Sequence, residues 1–62
     1  NQTIRVGSRG PLVAEVQEKL DISPADGIFG PGTARIVKEW QSSKGLTADG
    51  IVGPQTLGKL LG

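Results

Sequence analysis

The sequence predicts an all-α fold, a small three-helix bundle built from a duplicated helix–loop unit with two equivalent connectors. Three observations predict it. Apolar residues recur at helical offsets in three separate stretches, each preceded by Gly-Pro. The phrase ADGIFGPGT at residues 25–33 returns as ADGIVGPQT at residues 48–56. The chain has 62 residues, 35% of them apolar, and its aromatics are Phe29 and Trp40, so only a tight core with short connections is possible.

Residues 1–7 read as an extended lead-in, polar apart from Ile4 and Val6. Pro11 opens the first helix, placed at about residues 9–21, where Leu12, Val13, Val16 and Leu20 share a stripe while Glu15, Glu18 and Lys19 face outward. Ser8 or Gly10 can stand before Pro11 as the cap, and the missing proline N–H costs little in a first turn. Pro24 and Gly27 then break the helix. The second helix, residues 31–44, opens at Gly30–Pro31, with the Thr33 hydroxyl expected to accept a free N–H of the first turn. Ala34, Ile36, Val37 and Trp40 form its apolar side, and Lys44 followed by Gly45 suits its end. The third helix, residues 54–61, opens at Gly53–Pro54 and gathers Leu57, Leu60 and Leu61 on one face.

Aligning the two phrases pairs Asp26 with Asp49, Gly27 with Gly50, Ile28 with Ile51, Gly30 with Gly53, Pro31 with Pro54 and Thr33 with Thr56. Upstream, Val13, Val16 and Gln17 match Val37, Trp40 and Gln41. Asp-Gly supplies a turn in which Gly takes a positive φ and Asp accepts nearby backbone amides. Ile28 and Ile51 are expected to plug inward, with Phe29 and Val52 as second anchors. Gly27, Gly30, Pro31, Gly50, Gly53, Pro54 and Thr56 thus form a structural connector that holds successive helices at one crossing geometry.

These phrases, with VGSRGPLVAEVQEKL ahead of them and KGLTADGIVGPQTLGKL behind, resemble the three-helix peptidoglycan-binding domain family carried beside catalytic domains of bacterial and phage cell-wall hydrolases. The likeness runs from about Val6 to Leu61, making residues 1–62 one domain, and its most specific elements are the paired VQ and WQ and the two DGI(F/V)GPxT phrases. Trp40 stands where that family most often has Phe, and Ile36 where it usually has Ala. The resemblance implies a non-catalytic module that binds peptidoglycan, through glycan strand or stem peptide, and holds a covalently linked enzyme near its substrate. It implies an extracytoplasmic location, in wall or periplasm, reached through the parent protein or by phage-encoded release. An alternative is a protein-interaction or assembly module of the same fold, and a ligand-free spacer is a third.

Composition narrows the chemistry. The chain has no His and no Cys, which removes the usual triads, a thiol nucleophile and the commonest zinc sites. Glu15, Glu18, Asp21 and Glu39 fall on outward helical positions or helix ends, not across a cleft as a glycosidase requires. DISPADG lacks the ligand pattern of a calcium loop. No catalytic residue, metal or cofactor is therefore expected. Seven basic and six acidic residues are scattered, with no block of cations to meet nucleic acid. No apolar run is long enough to cross a bilayer. The start at Asn1 reads as that of an excised module, and a monomer is expected.

Six residues are candidates for ligand contact: Asp26, Phe29, Thr33, Arg35, Trp40 and Asp49. Each also has a local reading. Asp26 and Asp49 occur in both connectors, so a shared turn role explains both, and Thr33 serves as a helix-start cap. Trp40 shares a stripe with Val37 and is expected in the core, with Phe29 filling more of it than Val52 does. Arg35, like Arg9, reads as a solvated cation able to meet a carboxylate. Gln17 and Gln41 are expected to bond loop backbone.

Overall fold

The computed structural model describes residues 3–62; of the lead-in expected at residues 1–7, residues 1 and 2 lie outside the described residues. Three helices follow one another, α1 (Pro11–Lys19), α2 (Pro31–Ser43) and α3 (Pro54–Leu61). Each begins with Pro after a Gly cap, namely Gly10, Gly30 and Gly53. Proline suits this first position because its fixed φ is already helical and its missing N–H would have no intrahelical partner. None of the three caps makes a side-chain bond. The expected Thr33 cap is therefore corrected, since its hydroxyl is used elsewhere, as is Thr56's. Ser8 is no cap either; its Oγ accepts the Arg5 N–H at 3.1 Å.

The first helix is shorter at both ends than the expected 9–21. Gly10 has φ 132, which is not helical, so nothing before Pro11 can join α1. At the other end Asp21 turns into the left-handed region with φ 59. The Asp21 N–H then bonds the Glu18 carbonyl at 3.1 Å and the Ile22 N–H bonds that of Gln17 at 2.8 Å. This pair of bonds is the Schellman closure of a helix C-terminus. α2 ends the same way: Gly45 has φ 74, its N–H bonds Ser42 at 3.2 Å, and the Leu46 N–H bonds Gln41 at 2.9 Å. The two helix stops are thus equivalent, although one uses Gly and the other Asp.

The core joins helical and extended segments. Its fully buried apolar residues are Val13, Val16 and Val37 from helices, and Ile4, Phe29 and Val52 from the lead-in and connectors. Leu12, Leu20, Ala34, Leu57 and Leu60 pack around them. α1 and α3 pack directly against each other. Burying a Val, Ile or Phe side chain stabilises by about 1.5–3 kcal/mol, so the extended residues contribute as much here as the helical ones.

The lead-in is a strap that ties both connectors. Ile4 and Val52 exchange two backbone bonds, of 3.0 and 2.8 Å. Further along, the Gly7 N–H donates to Phe29, Phe29 donates to Ser8, and Gly10 donates to Gly27, at 3.0, 2.9 and 3.0 Å. Each is an isolated antiparallel pairing, Ile4 with Val52 and Arg9 with Ile28. In such an extended backbone alternate side chains face opposite sides. Only one of Ile28 and Phe29 can therefore point inward, and it is Phe29. Ile28 is 52% exposed and Ile51 half-buried, while Phe29 and Val52 are 1% and 0% exposed. The inward placement expected for Ile28 and Ile51 is corrected accordingly. No helix among the described residues is long and apolar enough to cross a membrane.

Candidate functional site

Each connector is organised by one glutamine from the last turn of the preceding helix. Gln17 lies four residues after Val13 and Gln41 four after Val37, so both point into the bundle, and each is 1% exposed. Gln17 Oε1 accepts the Gly27 N–H at 2.9 Å. Its Nε2 donates to Ile28 O at 3.0 Å, Asp26 Oδ1 at 3.1 Å and Thr33 Oγ1 at 3.2 Å. Gln41 repeats the set: Oε1 accepts Gly50 N–H at 3.0 Å, and Nε2 donates to Ile51 O at 3.0 Å, Thr56 Oγ1 at 3.2 Å and Asp49 Oδ1 at 3.3 Å. A carbonyl can only accept and a backbone N–H can only donate, so the amide orientation is fixed in both places. An amide nitrogen carries two hydrogens, so three acceptors share them.

One duplicated residue thus fastens the helix, the turn and the start of the next helix. The first loop holds one residue more, since Gln17 and Asp26 are nine apart whereas Gln41 and Asp49 are eight apart. The extra residue is absorbed between Ile22 and Asp26, outside the bonded frame.

The aspartates complete the turns. Asp26 Oδ1 accepts the Ile28 N–H at 3.0 Å, and Asp49 Oδ1 accepts that of Ile51 at 3.0 Å. The Ile28 N–H, and then the Gln17 amide, hold the Asp26 carboxyl below its ordinary value of 3.8, because both donors favour the charged form. Both aspartates are exposed, and among the described residues their internal bonds use Oδ1 alone.

A groove lies beside each connector. The first, of about 350 Å³, has Asp26 and Thr33 in its lining with Ile22, Pro24, Ile28 and Ile36. The second, of about 280 Å³, has Asp49 and Thr56 with Leu46, Thr47, Ile51 and Gln55. Of the six candidate contacts, the structure brings Asp26 and Thr33 into one groove and Asp49 into the other. Phe29 is corrected: with its ring 1% exposed it fills core and presents nothing to a ligand. Trp40 is corrected too: expected in the core, it is half-buried, stands outside the core cluster and lines neither groove. Arg35 also stands outside both; its side chain is 83% exposed and, among the described residues, its one ion pair is with Glu39, at 3.9 Å, one helical turn on. Ile22, Pro24 and Ile28 also wall the first groove, and Leu46 and Thr47 the second, though none was a candidate from the sequence. Each sits two to four residues from a duplicated aspartate, but nearness in sequence does not say which of these residues faces the groove.

Chemically the grooves offer carboxylates, hydroxyls and apolar walls. Among the described residues no three carboxylates cluster closely enough to hold a metal ion. The buried side-chain polar atoms of the described residues all have partners. Such groups are occupied in holding the fold, which leaves the exposed rims for recognition.

A family model described as a peptidoglycan binding domain matches residues 9–60. The zinc D-Ala-D-Ala carboxypeptidase of Streptomyces albus G is 40% identical over 65 residues, a stretch covering 94% of this chain and 26% of that protein. The solved SleB N-terminal domain superposes with a TM-score of 0.90 at 35% identity, covering 98% of this chain and 90% of that one. The endolysin of Burkholderia AP3 phage superposes with a TM-score of 0.87 at 38% identity, covering 95% of this chain and 24% of that one. The chain therefore spans about a quarter of the length of the carboxypeptidase and of the endolysin.

Proposed function

The chain belongs to the peptidoglycan-binding domain family, and from that premise we propose that it is a non-catalytic anchor holding a linked wall-lytic or wall-modifying enzyme on peptidoglycan. The observation that carries this reading is the family match across residues 9–60, together with likeness to about a quarter of a carboxypeptidase and of an endolysin. The chain's own chemistry supports it. With no His or Cys, and with its connector glutamine amides and threonine hydroxyls committed to internal bonds, it offers surface and lacks the usual nucleophile–base pairs. The same reading places the parent protein outside the cytoplasm, in wall or periplasm or released by a phage, with the module acting as a monomer.

The physical gain is local concentration. A module that binds weakly still converts the enzyme's next encounter with substrate into an intramolecular event. The test is co-sedimentation of the 62-residue chain with purified, protein-free sacculi. The reading predicts that the chain enters the pellet and returns to the supernatant once the sacculi are digested. Retention by a partner protein, with the chain left in the supernatant by sacculi, would favour the assembly reading instead.

A further inference from the structure

We infer that the chain carries two peptide-binding grooves, one per connector, which take two amine-bearing peptide stems of the same polymer at once. The inference rests on the wall-binding reading and names which part of the polymer is held and how many times. Duplication is the first support. The groove beside Asp26, Ile28 and Thr33 has its counterpart beside Asp49, Ile51 and Thr56, on the same glutamine frame. A repeated site matches a repeated ligand.

The lining chemistry selects peptide over glycan. Sugar rings are commonly held by stacking their C–H faces on aromatic rings, and neither Phe29 nor Trp40 lines a groove. What lines them instead is isoleucine, leucine and proline set among threonine, serine and glutamine, so small aliphatic side chains meet apolar walls beside hydrogen-bonding groups. Each groove holds one aspartate, and no Lys or Arg is among the described lining residues. Each groove thus presents one carboxylate that complements an ammonium group, although Arg9 and Lys38 stand beside the two connectors. An exposed ion pair gives only a small preference, so each groove alone binds weakly, and the linked pair supplies the affinity. The longest extent of the molecule is 27 Å, which bounds the distance between the two grooves.

The test uses peptide stems released from peptidoglycan by an amidase, the same stems with acetylated amines, and the peptide-free glycan strands left behind. Titration calorimetry is expected to give two free stems per chain, several-fold weaker binding of the acetylated stems, and no binding of glycan strands. Ile28→Arg and Ile51→Arg each place a long cation in one groove, at side chains that make no internal bond. Each variant is expected to bind one stem, with affinity for sacculi lowered on the order of 100-fold as linkage is lost. Unchanged far-ultraviolet circular dichroism checks that each variant folds, and acetylation reports on the amine without altering the protein. One stem per wild-type chain, binding of bare glycan strands, or sacculi affinity unchanged in both variants overturns the inference. Wild-type co-sedimentation with sacculi separates this failure from that of the wall-binding reading: pelleting with single-stem stoichiometry defeats only the two-groove inference, and failure to pellet defeats both.

Discussion

Replacing Gln17 or Gln41 by Ala removes the residue that fastens each connector. In Gln17→Ala the buried Gly27 N–H and the Ile28 carbonyl lose their partners, and in Gln41→Ala the Gly50 N–H and the Ile51 carbonyl do. Leaving a buried polar group unpaired costs about 1–3 kcal/mol, which applies in full to the glycine N–H, while the part-buried isoleucine carbonyl adds less. A domain this small has a total stability of roughly 3–9 kcal/mol, from about 0.05–0.15 kcal/mol per residue. Each variant is therefore expected to lose a large share of its stability, and the losses should agree within about 1 kcal/mol because the bonds match in partner and length. Gln17→Glu separates hydrogen bonding from packing. It keeps the shape and the acceptor for Gly27, but its carboxylate cannot donate to Ile28 O and stands beside Asp26, so it should be at least as damaging near neutral pH. Urea unfolding followed by circular dichroism measures all three, with the exposed Gln55→Ala as a control expected within about 0.5 kcal/mol of wild type. A loss below about 1 kcal/mol in Gln17→Ala would refute the fastening role, and a loss confined to one connector would refute their equivalence.

Three further outcomes are expected. Asp21→Gly should raise stability by about 0.5–1 kcal/mol, because a non-glycine residue at φ 59 is strained where the equivalent Gly45 is not; a fall in thermal midpoint would contradict this. Gly27→Ala should cost more than Gly50→Ala, both being at positive φ: an added Cβ at Gly27 meets the Gly10 backbone oxygen at 3.2 Å, whereas at Gly50 it meets the flexible Lys38 Cε at 3.1 Å, and equal midpoints would argue against a rigid strap. Asp26 has a lowered folded-state pKa, so its contribution is present above the unfolded value near 3.8 and is lost as pH falls through the folded value. Stability should thus decline below about pH 4, with part of the decline absent in Asp26→Asn; an NMR titration placing the Asp26 carboxyl above the ordinary value would contradict the sign.

Helices and connectors were legible because both leave local marks. Gly-Pro before each helix and the duplicated DGI phrase needed no tertiary context, and the ends of α2 and α3 fell within a residue of expectation. The inward glutamines could be suspected from their spacing after Val13 and Val37, but an amide on an apolar stripe announces its partners only when the loop is folded over it. The orientation of Ile28 and Phe29 was not legible. Two adjacent apolar residues give no phase, and the strap pairing that sets it joins residues far apart in sequence. Ile4 reads as an isolated apolar residue for the same reason, yet it is 6% exposed because it bonds Val52. Phe29 shows the limit for sites: the difference between Phe29 and Val52 suggested ligand contact, but both serve the core. Groove walls depend on which side of an extended segment faces solvent, so they follow the same unresolved phase.

The most direct measurement is a backbone amide NMR titration of the isotope-labelled chain with solubilised peptidoglycan fragments. Recognition by the connectors predicts that shifts concentrate at residues 26–33 and 49–56, with the outward helical positions Glu15, Glu18 and Lys19 unmoved. Shifts confined to those outward positions, with both connectors silent, would contradict it.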